Sequence, residues 1–233
     1  MKSYLILDTE TTNNFSSPLV YDLGYVVCNK RGRIIRKESL IIAEIFLDKK
    51  LMEFAYYAKK IPQYVDKLKR GESRLVTLEE AKAEIDFVIN KWHIEKVCAY
   101  NAGFDTNALR TTIRYVTKSK TREFFPSTVE IWCIWNMSCQ TLCNNAKYYN
   151  FCVKNGFVTS KGNIQTSAEI VYRFLTNKLD FDEKHTGLED AEIEQKILYK
   201  IMKMKIFSEI KKGINRACWK IPQRNFPKAL DNL

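Results

Sequence analysis

Leu5-Ile6-Leu7-Asp8-Thr9-Glu10-Thr11 is an apolar run that passes directly into two carboxylates spaced two residues apart. If the run is a β-strand, its two-residue period places Asp8 and Glu10 on the same face of a sheet. Two neighbouring carboxylates repel each other and are costly to remove from water, and a divalent cation such as Mg²⁺ offsets that cost. The alternative is a turn or a helix N-cap, because Asp and Thr favour such positions. Because D-x-E is common, the stretch alone favours the turn or cap, and a metal site at the end of this buried strand is predicted only together with the other acidic clusters.

The composition indicates a folded domain with a polyanionic partner. A chain of 233 residues suits one domain, and a hydrophobic fraction of 45% is enough for a core. The formal net charge of +11 and the pI near 9.2 favour nucleic acid as that partner. A merely Lys-rich surface is the alternative explanation of the charge.

The positive charge is concentrated in the tail, residues 196–233, which holds ten Lys or Arg and two acids. Trp219 and Phe226 are interleaved with these charges, so bases could stack on the rings while the cations contact phosphates. The alternative is a basic amphipathic segment whose apolar residues pack on the core. The sequence supports the two interpretations about equally.

The seven cysteines indicate reduced, partly buried thiols rather than a metal centre. No C-x-x-C pair occurs, and no standard zinc finger has the spacings of the cluster Cys133, Cys139, Cys143 and Cys152. No signal peptide is evident, and no apolar run approaches the length of a transmembrane helix. We therefore expect a soluble, cytoplasmic protein without a membrane partner.

The predicted elements are a β-meander followed by alternating helices and strands. Strands are predicted at residues 4–7, 21–28 and 33–42, and a turn at 29–32 joins the last two as a hairpin. The later elements are a strand at 97–100 and helices at 47–60, 77–92, 105–117, 168–177 and 188–205. This order predicts the α/β class, with a mixed sheet that has helices on its faces.

Capping and turn signals place the element boundaries. Thr77-x-x-Glu80 and Thr166-x-x-Glu169 are capping boxes that open helices. Ile61-Pro62 is expected to end the helix before it, which leaves a loop up to Gly71.

Two later stretches are interpreted from local signals of the same kind. Asn155-Gly156 lies between Phe- and Val-bearing flanks and predicts a small hairpin over residues 148–159. The stretch at residues 127–131 is either a strand or the start of a helix that extends to about residue 143. No internal repeat or low-complexity linker interrupts the order.

Three further side chains stand in settings similar to that of Asp8. Asp105 follows a predicted strand and a small-residue turn, where it could also be a simple N-cap. His185 lies five residues before Asp190, across a Gly turn that opens a helix. Because strand ends and helix starts meet at one edge of an α/β sheet, we expect the acids to converge. Glu189 is adjacent to Asp190, but consecutive helix residues point about 100° apart, so only one of them faces a common site.

Such a gathering of acids suits a pair of divalent cations. Two cations about 3.5–4 Å apart need several carboxylates, one of which bridges them. An imidazole beside them would supply a base that can deprotonate water near neutral pH. A purely structural interpretation must instead treat all three acidic clusters as independent helix caps.

Three motifs in this order resemble those of the DEDD exonucleases, histidine branch: D-x-E-T at 8–11, N-A-x-F-D at 101–105 and H-x-x-x-x-D at 185–190. This DnaQ-like family includes polymerase proofreading subunits and ribonuclease T-like enzymes. The resemblance covers about residues 3–204 and implies a ribonuclease-H-like mixed sheet that begins with a β-meander. We accordingly expect an exonuclease domain over residues 1–205 and a basic C-terminal extension over 206–233.

The resemblance also implies a catalytic role for each matching side chain. Asp8 would bridge two ions, Mg²⁺ or Mn²⁺. Glu10 and Asp190 would hold the ion that activates water. Asp105 would bind the second ion through water, and His185 would be the general base.

The same resemblance implies which residues contact the substrate strand. Thr11 would lie near the 3′-terminal sugar and its phosphate, and Leu23 would wedge against the terminal bases. Asn101 and Phe104 would line the nucleotide pocket. Tyr100 departs from the pattern, because many members of the family have His at this position.

The implied activity is metal-dependent 3′→5′ hydrolysis of single-stranded DNA or RNA to nucleoside 5′-monophosphates. A proofreading role would need a polymerase partner in trans, and many members of the family form homodimers. The insertion at residues 147–165 is not common in the family, so the shape of the substrate stays open. Two other functions also stay open: a non-catalytic nucleic-acid-binding or scaffold protein on the same fold, and a metal-dependent endonuclease.

Overall fold

A six-stranded sheet forms the centre of the computed structural model, which describes residues 3–12, 17–55, 58–121 and 123–228. The strands are β1 (Ser3–Thr12), β2 (Leu19–Asn29), β3 (Ile34–Ile42), β4 (Arg74–Val76), β5 (Lys96–Ala99) and β6 (Glu130–Cys133). They lie in the order β4-β3-β2-β1-β5-β6. The pairs β1–β2 and β2–β3 are antiparallel, and the other three pairs are parallel. The predicted α/β class with a mixed sheet is confirmed.

The helices cover both faces and the ends of this sheet. They are α1 (Ala43–Phe46), α2 (Lys49–Met52), α3 (Ile61–Lys69), α4 (Leu78–Lys91), α5 (Ala102–Thr117), α6 (Ile134–Gln140), α7 (Ala146–Lys154), α8 (Ala168–Thr176), α9 (Gly187–Met202) and α10 (Lys220–Asn225). Short 3₁₀ turns lie at Ala58–Lys60 and Lys205–Ser208. Among the described residues, no helix combines the length and the apolar character that crossing a bilayer requires.

Strand β1 is apolar on both sides because each face of the sheet is covered. Leu5 and Leu7 belong to the core that includes residues of α4 and α5. Tyr4 and Ile6 belong to the opposite core, which includes residues of α9. The period-two alternation of the strand then places the side chains of residues 8 and 10 on the α9 face.

The first strand is longer than the sequence predicted. It does not end at Leu7 but continues to Thr12, because β2 pairs with it along its whole length. The parallel partner β5 pairs only with Tyr4, Leu5 and Ile6. The strand therefore carries Asp8 and Glu10 beyond the end of its parallel neighbour, which opens one side of the sheet at these residues.

The region between β3 and β4 differs from the prediction. The expected helix at 47–60 is replaced by the short helices α1 and α2 and a 3₁₀ turn, and residues 56 and 57 lie outside the described part. The expected loop up to Gly71 is instead helix α3, with Pro62 in its first turn. Proline is favoured there because the first N–H groups of a helix need no intrahelical acceptor.

The predicted hairpin at 148–159 is also wrong, because helix α7 occupies its first half. Gly156 has a φ of +72° and follows the C-cap Asn155, so it terminates the helix rather than forming a hairpin turn. The stretch at 127–143 contains both β6 and α6. Among the remaining signals, the turn at 29–32 joins β2 and β3 as expected.

The two predicted capping boxes have different outcomes. Thr77 accepts from the N–H of Glu80 and the Glu80 side chain accepts from the N–H of Thr77, so this capping box is confirmed. At α8 the cap is Ser167, whose hydroxyl accepts from the N–H of Ile170 at 3.4 Å. The Thr166 hydroxyl instead accepts from Nε1 of Trp135 at 2.9 Å, so the second prediction was one residue off.

The described part of the basic tail lies against α6 and α7. Asn136 donates from Nδ2 to the carbonyl of Gly213 at 2.8 Å, and the N–H of Cys133 donates to the carbonyl of Lys212 at 2.7 Å. Phe226 stacks on Tyr149 with the ring centroids 5.0 Å apart. The domain boundary at residue 205 stays a prediction, and residues 229–233 of the expected extension lie outside the described part.

The thiols are buried, and none of the seven cysteines takes part in a disulfide. Buried thiols behave as small apolar side chains and need no metal to explain them. This arrangement agrees with the expectation of reduced thiols.

Candidate active site

The register of β1 and β2 sets the first side of the candidate site. Asp8 pairs with Gly24 and Glu10 pairs with Asp22 across the antiparallel ladder. Asp8 is the one partly exposed residue of β1. Glu10 is buried, with 7% of its surface exposed. The two carboxylates therefore stand side by side on the α9 face, with access to solvent at Asp8.

Two glycines let the start of α9 approach this ladder closely. A Cβ atom added to Gly24 would lie 1.9 Å from the carbonyl carbon of Gly187. A Cβ atom added to Gly187 would lie 2.6 Å from the nitrogen of Gly24 and 2.9 Å from the carbonyl oxygen of Asp8. Such distances leave no room for any side chain, so both positions require glycine for steric reasons. The contact fixes the first turn of α9 directly on Asp8.

Asp22 caps α9 from across the sheet. Its Oδ2 accepts from the N–H of Gly187 at 2.9 Å, while the N-cap residue Thr186 makes no side-chain capping bond. Burial raises the pKa of Asp22 to about 6, and the bond from Gly187 opposes that rise. Asp22 thus satisfies a buried N–H group that has no acceptor within the helix. It was not predicted as a site residue.

Glu10, His185 and Asp190 form the tightest cluster. One ligand atom from each lies within 4.8 Å of the other two. Oδ1 of Asp190 is buried without a hydrogen-bond partner among the described residues. Burial and the charge of Asp190 raise the pKa of Glu10 to about 9. Burial and the charge of Glu183 raise the pKa of Asp190 to about 8. The protein alone therefore disfavours the charged forms of these two carboxyls, and Asp190 Oδ1 lacks a compensating hydrogen bond from the described residues.

Asp105 reaches the same edge from the first turn of α5. Its Oδ1 accepts from both the N–H of Thr9 at 3.2 Å and the hydroxyl of Thr9 at 2.9 Å. Burial raises the pKa of Asp105 to about 7, and the bonds from Thr9 oppose that rise. Desolvation and the charges of Glu194 and Asp105 also raise the pKa of Asp8 well above its usual range. All four predicted carboxylates therefore share one electrostatic environment.

Two more carboxylates that the sequence analysis missed lie in this environment. Glu194 is 2% exposed, and its Oε2 has no hydrogen-bond partner among the described residues. It lies four residues after Asp190 and so on the same helix face, a signal that was available in the sequence. Glu183 lies 3.7 Å from Nδ1 of His185, and burial raises its pKa to about 7.

The backbone presents the His185 side chain to the acids. His185 has a φ of +51°, in the left-handed region that non-glycine residues rarely adopt. Its side chain is 29% exposed. Burial and the nearby charge of Lys60 lower its pKa below the ordinary 6.5, so the neutral imidazole predominates near pH 7.

Cations from the region between β3 and β4 border the acids. Nζ of Lys60 donates to the carbonyl of Lys184, one residue before His185. Nζ of Lys67 on α3 lies 2.7 Å from Glu189. Glu189 therefore forms an ion pair with Lys67, while its neighbour Asp190 belongs to the cluster with Glu10 and His185. The sequence could not reveal this contribution, since residues 61–71 were expected to form a loop.

The four predicted substrate-binding residues occupy different environments. Thr11 is buried on β1, Asn101 is exposed before α5, and Phe104 is half-buried in the first turn of α5. Leu23 is 0% exposed and lies in the core between the sheet and α5. A base could contact Leu23 only if neighbouring side chains moved, and all four roles stay predictions.

The donor set fits a divalent cation. Carboxylates and one imidazole are available, and the buried, unpartnered oxygens of Asp190 and Glu194 leave coordination capacity unused. Hard carboxylate oxygens suit Mg²⁺ and Mn²⁺, and positive charge would remove the mutual repulsion that raises these pKa values. A structural ion pair with a lysine would satisfy one acid but not a group of this size.

Comparison with solved structures shows the fold of known exonucleases. No protein-family model and no curated protein sequence matches the chain. The zinc-bound complex of E. coli exonuclease I with single-stranded DNA superposes with a TM-score of 0.59 at 12% identity, covering 90% of this chain and 42% of that one. Exonuclease I from Methylocaldum szegediense gives a TM-score of 0.56 at 15% identity, covering 90% and 42%. The cell-death related nuclease CRN-4 gives 0.53 at 11% identity, covering 88% and 65%.

These likenesses show that the chain has the same fold as these nucleases. The chain spans less than half the length of the two exonuclease I structures. At identities of 11–15% the similarity concerns architecture, namely a mixed sheet flanked by helices. Chemistry must therefore be argued from the side chains of this protein.

Proposed function

We propose that the protein is a metal-dependent 3′→5′ exonuclease that hydrolyses single-stranded nucleic acid to nucleoside 5′-monophosphates. The observation that carries this proposal is the cluster of the buried Glu10 and Asp190 with the half-buried His185, whose ligand atoms lie within 4.8 Å of one another. The fold it shares with exonucleases supports the same conclusion.

The acids would hold the cations. Asp8, whose pKa is raised by burial and by the charges of Asp105 and Glu10, would hold Mg²⁺ or Mn²⁺ together with these acids. Glu10 and Asp190 would hold one ion, and Asp105 would hold the other. When bound, such ions supply Lewis-acid activation of water and stabilise charge on the scissile phosphate and the leaving oxygen.

His185 would accept the proton of the attacking water. Its lowered pKa keeps a ring nitrogen unprotonated near neutral pH, which a general base requires. Its half-buried position, within 4.8 Å of ligand atoms of Glu10 and Asp190, supports this role, because a metal-bound water would lie beside the imidazole. Thr11 follows Glu10 on β1, Phe104 precedes Asp105 on α5, and Asn101 is the N-cap residue of α5. These positions favour their proposed contacts with the terminal nucleotide.

Single-stranded DNA is the substrate we favour first, because a structural neighbour was solved with it. RNA is tested beside it, since discrimination at the 2′-hydroxyl depends on pocket contacts. The net charge of +11 agrees with either polyanion. A polymerase partner in trans, a homodimer and a cytoplasmic location stay predictions.

The test is a substrate panel in Mg²⁺ or Mn²⁺. Linear single strands labelled at either end should yield nucleoside 5′-monophosphates, with loss of the 3′ label first. A circular single strand should stay intact, because an exonuclease needs an end. Internal cuts in the circle would favour an endonuclease, and tight binding without any product would favour a non-catalytic binder.

A further inference from the structure

A groove beside Trp219 is not used by the proposed hydrolysis. The groove has a volume of about 510 Å³ and lies between the indole of Trp219 and the turn at residues 159–167. Trp219 is 36% exposed, although the residue before it, Cys218, is 0% exposed. The backbone is thus anchored while a large flat ring faces the groove.

The walls of this groove are held by hydrogen bonds. Gln223 on α10 donates to the carbonyl of Ile164 at 3.0 Å and accepts from its N–H at 3.2 Å. Tyr100 donates from its hydroxyl to the carbonyl of Thr166 at 2.7 Å. The turn is therefore fixed both to α10, which follows Trp219, and to Tyr100. A preformed groove of this kind costs little ordering when a ligand binds.

Two contacts link the groove and the tail to the start of α5, the helix that carries Asp105. Tyr100 lies between β5 and α5. Ser167, which lines the groove, caps α8. On the tail itself, Cγ2 of Ile214 lies 3.0 Å from the Cβ position of Gly103 in the first turn of α5.

The charges around the groove favour an anionic occupant. Among its described lining residues Lys161 is the charged one, and it is exposed. Nζ of Lys220 lies 5.5 Å from the ring of Trp219, and Arg216 is exposed on the same segment. A flat aromatic ring bordered by cations binds a nucleobase on the ring and phosphates at the cations.

The two aromatic residues of the tail therefore have different roles. Phe226 is half-buried and stacks on Tyr149, with an interplanar angle of 16°. That contact agrees with the alternative in which tail residues pack on the core. Trp219 instead has an exposed ring at a groove, which agrees with the nucleic-acid alternative.

We infer that Trp219, together with Lys161 and Lys220, forms a second subsite that stacks a base of the substrate strand upstream of the terminal nucleotide. This inference rests on the proposed function, because it assumes that the strand enters the neighbouring site with its 3′ end. The subsite anchors the strand during hydrolysis and contributes affinity that depends on strand length.

The experiment measures binding in EDTA, where no hydrolysis occurs, by anisotropy of fluorescein-labelled oligothymidylates. Trp219→Ala should weaken binding of a strand of roughly 20 nucleotides about tenfold, because stacking of one base has this magnitude. Trp219→Phe should keep most of the affinity. A labelled mononucleotide should bind the variants and the wild type equally, because it occupies the terminal site and leaves the groove empty.

Phe87→Ala is the matched control. Phe87 is 50% exposed and lies beneath Nζ of Lys91 at 5.1 Å, so it resembles Trp219 in exposure and in its neighbouring cation. It lies on α4, away from the groove, and its loss should leave binding unchanged. Equal affinity of the wild type and Trp219→Ala for the long strand would overturn the inference, as would equal weakening by Phe87→Ala.

A second measurement covers the case in which Trp219→Ala fails to fold. A single abasic nucleotide is moved along the long strand, and one position upstream of the 3′ end should weaken wild-type binding. In Trp219→Phe, the loss of affinity caused by the abasic nucleotide at that position should be smaller than in the wild type. The ring substitution and the missing base weaken the same stacking contact, so their effects are coupled. A uniform penalty along the strand, or a dimer that depends on Trp219, would overturn the subsite.

These measurements can reject the proposed subsite and the proposed hydrolysis independently of each other. Binding in EDTA does not require catalysis, so the Trp219 effect can appear in a protein that releases no mononucleotides. Conversely, hydrolysis with unchanged affinity in Trp219→Ala would overturn the subsite and leave the exonuclease proposal in place.

Discussion

Gly24 on β2 and Gly187 at the start of α9 are in direct backbone contact, and a Cβ atom at Gly24 would lie 1.9 Å from the carbonyl carbon of Gly187. This contact sets the distance between the strand that carries Asp8 and the helix that carries Asp190. Since the acids come from distant parts of the chain, the contact is what allows them to meet.

Gly24→Ala should therefore disturb the site and the fold together. We expect the free energy of unfolding to fall by roughly 3 kcal/mol, because the added methyl group overpacks two backbones that cannot separate without loss of the helix cap. Urea unfolding measures the change. Gly213→Ala is the control, because, apart from its chain neighbours, no atom of the described residues lies within 4 Å of its Cβ position, and it should have little effect. Equal stabilities of the two variants would contradict the role of the contact.

Metal binding should stabilise the protein more at alkaline than at acidic pH. The folded pKa values of Glu10, Asp190 and Asp105 are raised to about 9, 8 and 7 by burial, against about 4 in an unfolded chain. The protonated forms are favoured in the fold, so stability from these groups is full below about pH 4 and is lost as pH rises through the folded values.

Thermal unfolding in EDTA and in Mn²⁺ tests this relationship. The increase in Tm caused by Mn²⁺ should be larger near pH 8 than near pH 5, because protons compete with the ion for the same carboxylates. Asp190→Asn should reduce the increase at pH 8. A Tm that does not respond to Mn²⁺ at either pH would contradict the metal site.

His185→Ala should lower kcat about 100-fold or more, because a general base contributes an effect of this order. The residual activity should lose the pH dependence that reflects ionisation of the imidazole below 6.5. The pH profile of kcat measures both effects. His93→Ala is the control, because His93 is exposed and precedes β5 at the opposite end of that strand from Asp105. A wild-type pH profile in His185→Ala would exclude its role as base.

Lys60→Met should lower kcat roughly tenfold, since a hydrogen bond from a charged donor has about this value. Lys60 holds the carbonyl of Lys184 and so fixes the backbone on which His185 has a positive φ. Its effect is one of position, so Lys60→Arg should restore part of the rate. Lys59→Met changes the exposed neighbouring lysine and should leave the rate unchanged. If both methionine variants lower kcat equally, general charge rather than position is the cause.

The sequence predicted the sheet because its strands carry strong local signals. Leu5, Ile6 and Leu7 place apolar side chains on both faces of β1, and the turn signal at residues 29–32 joins two further strand-like segments. The acids were found for the same reason, since Asp8, Asp105 and Asp190 follow or open elements that are themselves predictable. Convergence at a sheet edge then follows from the topology.

Features that depend on tertiary contact were missed. Pro62 was expected to end a helix but lies in the first turn of α3, and Gly156 was expected in a hairpin turn but ends α7. Both errors arise because Pro and Gly occur at helix ends as well as in loops. Lys60 and Glu183 join the site only through the fold. Glu194 could have been found from its spacing to Asp190, but a buried acid on a helix has no local signal that separates it from a surface one.

The most direct test of the account is single-turnover release of mononucleotides from a 3′-labelled single strand in Mn²⁺. The wild type should release label, and Asp190→Asn should lose nearly all of the rate. Glu192→Gln is the control. Glu192 lies on the same helix but forms an ion pair with Lys37, with Nζ 2.5 Å from Oε1, and is not part of the cluster. This variant should release label at the wild-type rate. Release by Asp190→Asn at the wild-type rate, or release that continues in EDTA, would contradict a metal-dependent nuclease site at these carboxylates.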